Sequence, residues 1–388
     1  MKLSELPEYL ELIPPTQAVL LLGPPGCGKS TAIREFAEKE AEKIGREFLE
    51  YDDDDEVFIK VTKAPEKYYL FLDIRLSETE PTDFLGVPRD IDHFIVYKPL
   101  RWVQAFSNRN TAGVIFLDEL TNVRREDVLA QAYKLVLDRR AGFRRFSDNV
   151  RIIASGNTPE SSSIANLLPA PLANRFAIFD IYAGDVYEWI DYVNSREGGI
   201  VDFIAGYLVR FPTDLTIKSD AETLENFPTR RAFSRLNMIV RENKINVKRL
   251  EKLATALLGQ TVATKLVAFY KLHSYLPTPE KLLRNPQLLD TAINRAKADG
   301  NGVNELDIIY YAVASVSSYV THSIDLNVDG VFDIKDFAKF VKKIAEIQQD
   351  LLVVLLKLMP EDKRKKLILS LSNMKEVQTA VNSIAKYL

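Results

Sequence analysis

The chain has 388 residues, 46% of them hydrophobic and 27% charged, with a formal net charge of −3. That length is too great for one compact core and predicts two or three domains. The mild acidity excludes a global basic field for nucleic acid and leaves only local patches. A single cysteine, Cys27, excludes an intramolecular disulfide. The segment 1–7 has no apolar signal core, and the run 351–359 is interrupted by Lys357 and too short to span a bilayer. A cytoplasmic protein with no membrane association is expected. The acidic run 52–56 reads as a solvated turn.

In chain order, short β-branched or aromatic runs fall at 19–22, 69–73, 114–117, 150–154 and 178–182, with helical patterns between them. Apolar strands separated by helices predict an α/β fold: a parallel five-stranded sheet with helices on both faces. After about residue 184 the strand signal fades. Amphipathic helices are expected over 189–192, 200–209, 231–240, 247–258, 262–273, 288–297 and 305–319, with Pro277, Pro279 and Pro286 as punctuation. An α/β part is thus followed by all-helical material.

The first strand runs into Gly23, Pro24, Pro25, Gly26, Cys27, Gly28, Lys29, Ser30 and Thr31, and a helix is expected over 31–43. This is a complete P-loop pattern between a strand and a helix, the context in which it binds nucleotide phosphates. Glycines let backbone N–H groups turn toward the phosphates, and the helix directs its positive end at them. Lys29 would reach the β/γ-phosphates of ATP, and Ser30 would hold Mg²⁺. Cys27 reads as a small residue that fits the loop, with a redox switch as the alternative.

The third run ends in Asp118 and Glu119 at the carboxyl edge of the sheet. Asp118 would orient Mg²⁺, and Glu119 would polarise the water that attacks the γ-phosphate. The fourth run ends in Ser155, Gly156 and Asn157, whose amide can hold the same water. Arg175 precedes the fifth run. It reads either as a cation reaching a nucleotide on a neighbouring subunit or as a helix C-terminal residue favoured by the dipole.

The set Gly-Pro-Pro-Gly-Cys-Gly-Lys-Ser, Phe-Leu-Asp-Glu-Leu, Ala-Ser-Gly-Asn and Leu-Ala-Asn-Arg-Phe resembles an AAA+ ATPase of the MoxR-type branch. The stretches 73–86 and 131–140 agree with it, and the likeness covers about residues 15–290. It implies an AAA+ α/β nucleotide-binding core (1–183), a helical lid (184–285) and a C-terminal helical region (286–388). It also implies that Asn157 is sensor 1, that Arg175 acts in trans as an arginine finger, and that Arg231 is sensor 2. Arg230 stands where proline is usual, so either arginine fits that last role.

The resemblance further implies a homo-oligomer in the form of a hexameric ring, with hairpins projecting toward its pore. One would span 86–99, with His93 and Phe94 near its tip, there to meet a threaded partner or to pack on a neighbouring subunit. The other, 138–146, carries Arg139, Arg140, Arg144 and Arg145, with Phe143 and Phe146 flanking the second arginine pair. Such a patch can grip phosphates and stack bases, or serve contacts between subunits.

Asp325, Asn327, Asp329, Asp333 and Asp336 follow EF-hand spacing over 325–336, with Gly330 at the sharp turn. This makes them candidate Ca²⁺ ligands, although position 12 carries Asp rather than Glu. An Asn-Asp-Gly turn followed by a helix capped by Asp333 would give most of the same letters.

The expected function is therefore Mg²⁺-dependent ATP hydrolysis at subunit interfaces of a ring that remodels or activates a protein partner. By resemblance that partner has a von Willebrand factor A domain. A nucleic-acid-translocating motor and a nucleotide-gated scaffold with little turnover stand as alternatives.

Overall fold

The computed structural model describes residues 1–388 except 53, 159–167, 183, 217–225, 301, 327–332 and 385–388, and except the side chains of 325 and 326. It divides into two units, Met1–Gly184 and Asp185–Leu388.

The first unit contains β1 (Ala18–Leu22), β2 (Glu47–Glu50), β3 (Tyr68–Arg75), β4 (Val87–Ile91), β5 (Phe94–Lys98), β6 (Ala112–Asp118), β7 (Arg140–Ala141), β8 (Arg144–Arg145), β9 (Val150–Gly156) and β10 (Phe176–Asp180). Six strands form one parallel sheet in the order β10-β1-β9-β6-β3-β2. Its central strands carry apolar residues at successive positions because both faces are covered. Val19, Leu21, Val114 and Phe116 pack on Ile33 and Phe36 of the helix Lys29–Lys43. Leu20, Ile115 and Leu117 pack on the opposite side with Phe106, Val128 and Leu135. Period-two alternation puts neighbours in sequence on opposite layers.

The five expected strands are present, and β2 is added at an edge. Its Glu-Phe-Leu-Glu run is too short and too polar to announce a strand, and pairing with β3 defines it. The last strand also sits earlier than its apolar run. It spans Phe176–Asp180 rather than 178–182, because Asp180 is the last residue in register with β1, opposite Leu22. The Ile181 N–H still donates to Leu22 O (2.6 Å), and its side chain is buried. Only the first three residues of the expected run pair with β1, and within 178–182 Ile181 alone is fully buried.

Two short hairpins stand outside the sheet. β4 and β5 pair antiparallel around a two-residue turn in which Asp92 (φ 52°) and His93 (φ 67°) are both left-handed. β7 and β8 form the second hairpin.

The described elements of the second unit are all helices. One apolar core runs from Val186 to Ile384, and the long helix Glu305–Leu326 contributes Ile308, Ile309, Ala312, Val313, Val316 and Val320 to it. Among the described residues, no helix is long and apolar enough to cross a membrane. Of the proposed Ca²⁺ ligands, Asn327 and Asp329 lie outside the described residues, as does the Asp325 side chain. Asp333 caps the helix Ile334–Ile347 by accepting from the Lys335 N–H (2.8 Å), and Asp336 accepts from Lys339 Nζ (2.8 Å).

Candidate active site

The strand order brings the chemistry-bearing residues together. β9 lies between β1 and β6, so the phosphate loop after β1, the acidic pair after β6 and Asn157 after β9 share one carboxyl edge. Parallel α/β sheets use that edge for ligands.

Gly28 precedes the helix Lys29–Lys43 at φ 101°, a backbone conformation that favours glycine and lets the loop turn sharply into the helix. Lys29 Nζ is folded back onto the loop, donating to Gly23 O (2.9 Å) and Pro24 O (3.0 Å), with Asn157 Oδ1 at 3.5 Å. Burial pulls its pKa below the usual lysine value, against Cys27 and Asp118, which push it up. A phosphate would restore the charge that burial disfavours. Cys27 itself is buried beside Leu6, Leu10 and Ile33, as expected of a small residue fitting the loop.

Asp118 is gripped from three directions. Ser30 Oγ donates to its Oδ2 (3.3 Å), Ser155 Oγ donates to its Oδ1, and the Glu119 N–H donates to Oδ1 (3.0 Å). A serine hydroxyl beside a carboxylate is the hard-oxygen donor pair that suits Mg²⁺. Glu119 adopts a left-handed φ of 60°, and its Oε2 accepts from Ser77 Oγ (2.8 Å) on the segment after β3.

Asn157 is held through its backbone. Its N–H donates to Thr121 Oγ1 (2.8 Å), and the same hydroxyl donates to its carbonyl (3.1 Å). Gly156 leaves room for this, since a Cβ there would lie 2.6 Å from Thr121 Cγ2. Gly156→Ala is therefore expected to cost about 1–3 kcal/mol through overpacking, read by denaturant unfolding; an unchanged midpoint would refute the close approach. Ser77, Thr121 and Ser155 were not singled out from sequence. Their hydroxyls are ordinary letters there, and only strand register sets them beside the acids and the amide.

Arg175 is exposed at the end of the four-residue helix Ala170–Ala173, which is too short to supply much dipole. Its carbonyl accepts from Gln17 Nε2 (2.9 Å), while its guanidinium meets no partner among the described residues. In the second unit, Arg230 Nη2 donates to Asp185 O (3.3 Å), whereas Arg231 is exposed.

The basic hairpin is less available than its letters suggest. Arg139 is buried, donating to Pro15 O (3.2 Å), Ser147 O (2.8 Å) and Val150 O. Phe146 is buried against Trp102. That leaves Arg140, Phe143, Arg144 and Arg145 on the surface, with Arg145 paired to Asp148 (3.2 Å). On the other hairpin Phe94 is 72% exposed, and Tyr97 approaches the exposed ring of Phe143 (centroids 5.9 Å).

A separate cavity of about 120 Å³ in the helical unit is lined in part by Asp202, Ser317, Thr321 and Lys363. The Ser317 and Thr321 hydroxyls there have no partner among the described residues, a place suited to bound water.

Residues 19–179 match the family model described as ATPase family associated with various cellular activities (AAA), and the parallel sheet with its P-loop is that fold. Among solved structures the chain is similar to Cdc6p from Pyrobaculum aerophilum, at 14% identity and TM-score 0.39, covering 94% of this chain and 93% of that one. For NtrX from Brucella abortus the values are 12% and 0.34, with 85% and 68% covered. For a RuvB mutant from Thermotoga maritima they are 14% and 0.26, with 78% and 80% covered. No curated protein sequence matches the chain.

Proposed function

We propose that the AAA domain in this chain hydrolyses ATP at the interfaces of a homo-oligomeric ring, hexameric by resemblance, and that the ring remodels a protein partner. The observation that carries this reading is the gathering of Lys29, Ser30, Asp118, Glu119 and Asn157 at one sheet edge, while Arg175 stays exposed with its guanidinium unpartnered among the described residues. A site with a phosphate cradle, an acid pair and a positioning amide lacks only a cation for the charge of the transition state. A neighbouring subunit's Arg175 would supply it.

In this mechanism Lys29 leaves the Gly23 and Pro24 carbonyls for the phosphates. Ser30 and Asp118 would hold Mg²⁺, which when bound offsets phosphate charge. Glu119 takes the proton of the attacking water, and Asn157 orients that water. Ser77, which holds Glu119 now, competes for that carboxylate. Arg231, rather than Arg230 with its backbone partner, would be the sensor arginine of the same subunit. The exposed aromatic residues of the β4–β5 hairpin and Phe143 would be the surfaces offered to neighbours or to the partner. A MoxR-type pairing with a von Willebrand factor A domain protein is the finer form of this proposal.

Turnover per subunit, measured across a range of protein concentrations, tests the reading. The expected result is a rate that climbs with concentration and then levels off as rings fill. A rate per subunit that is the same at every concentration would show a site complete within one chain.

A further inference from the structure

The groups that would act on the attacking water come from two different strands, and both must be aimed to a few tenths of an ångström. Glu119 follows β6 and Asn157 follows β9. Strand pairing fixes the register between them, with Leu117 opposite Ala154, but pairing stops before either group is reached. Beyond that point the two chains need another tie.

Thr121 provides it. It lies in the short turn Leu120–Asn122 immediately after Glu119, a turn closed by the Asn122 N–H donating to Glu119 O (2.9 Å). From there its single hydroxyl both accepts from the Asn157 N–H (2.8 Å) and donates to the Asn157 carbonyl (3.1 Å). The residue is 3% exposed, and its methyl lies over Gly156, where any side chain would collide with it. One step back, Gly156 O accepts from the Gly23 N–H (3.2 Å) at the start of the phosphate loop. Both backbone polar groups of Asn157 are thereby engaged by one side chain, and only its amide side chain is left to meet Lys29 and the nucleotide.

We propose that Thr121 is a positioning residue: a two-way latch that locks the turn carrying Glu119 to the backbone of Asn157, so that base and amide move as one body. The inference rests on the ATP-hydrolysis reading for its consequence, though not for its geometry. A hydroxyl is required because only a hydroxyl donates and accepts at one atom. Valine keeps the shape and the methyl over Gly156, yet leaves the Asn157 N–H and carbonyl unpaired on that side. Serine keeps the hydroxyl and gives up the methyl.

The test compares Thr121→Val and Thr121→Ser with the wild-type chain in two assays. In steady-state turnover, Thr121→Val is expected to lower kcat about 10- to 100-fold, the penalty for misaimed groups, with KM and ADP affinity within about threefold. Thr121→Ser should recover most of that loss, which shape alone would not bring about. In amide hydrogen exchange without nucleotide, the Asn157 N–H should lose protection in Thr121→Val and keep it in Thr121→Ser. A valine variant with wild-type kcat and a protected Asn157 N–H overturns the latch and leaves ATP hydrolysis standing. If even the wild-type chain does not turn over ATP, the functional reading fails. The exchange result then decides the latch alone, and unchanged protection in Thr121→Val refutes it.

Discussion

Glu119→Gln is expected to lower ATP turnover by about 10²- to 10⁴-fold, the usual worth of a positioned general base. That corresponds to about 3–5 kcal/mol of barrier. Nucleotide affinity should stay close to wild type. The substitution is nearly isosteric, and the amide oxygen can still accept from Ser77 Oγ, which now sits 2.8 Å from Oε2. The left-handed turn at Glu119 and the latch behind it need no carboxylate, so the fold should persist. What disappears is the capacity to take a proton. Lys29, Ser30 and Asp118, which would hold the phosphates and the metal, are untouched, so the variant should trap ATP. Binding and turnover measured side by side make the check. A variant that turns over ATP like wild type would mean that Glu119 is not the base, and a chain whose behaviour ignores the change would be a scaffold.

Arg175→Ala should reduce turnover by about 10³-fold or more, the range established for arginine fingers, and should abolish its dependence on protein concentration. The guanidinium has no partner in its own subunit among the described residues, so its removal costs the isolated fold little. Equal melting temperatures for variant and wild type would confirm that. Mixing gives the sharper result. In a ring with head-to-tail interfaces, an Arg175→Ala subunit keeps Glu119, and a Glu119→Gln subunit keeps Arg175. Two inactive proteins combined should therefore regain activity, with about a quarter of the interfaces complete under random assembly. No recovery on mixing would place Arg175 outside a shared site.

Much of this was legible in the letters, for reasons that can be stated. The central strands β1, β6 and β9 are covered on both faces, so burial wrote itself into the sequence as near-continuous apolar runs, interrupted in β9 by the buried Arg151. The phosphate loop was legible because its backbone turns demand glycine at fixed spacing. β2 was not, because an edge strand with two glutamates satisfies its hydrogen bonds on one side only and needs no apolar signature. The hydroxyls of Ser77, Thr121 and Ser155 were hidden for a different reason. Serine and threonine occur everywhere, and which of them faces a carboxylate is decided by register between strands far apart in the chain. Arg139 misled in the opposite sense: it looked like part of a basic surface, yet three backbone carbonyls claim it. A run of arginines records charge, and only the fold says which of them face water.

The β4–β5 hairpin has a consequence for the life of a single chain. Two strands alone are marginal in water, and every residue of this pair is exposed on a subunit by itself. A copy by itself therefore carries this hairpin where a protease can reach it, beside Phe94 and Ile95, which invite sticking. In the proposed ring, assembly would shelter what folding alone does not. Copies that fail to join others would be the ones cleared soonest, and the population would be sorted by its own company.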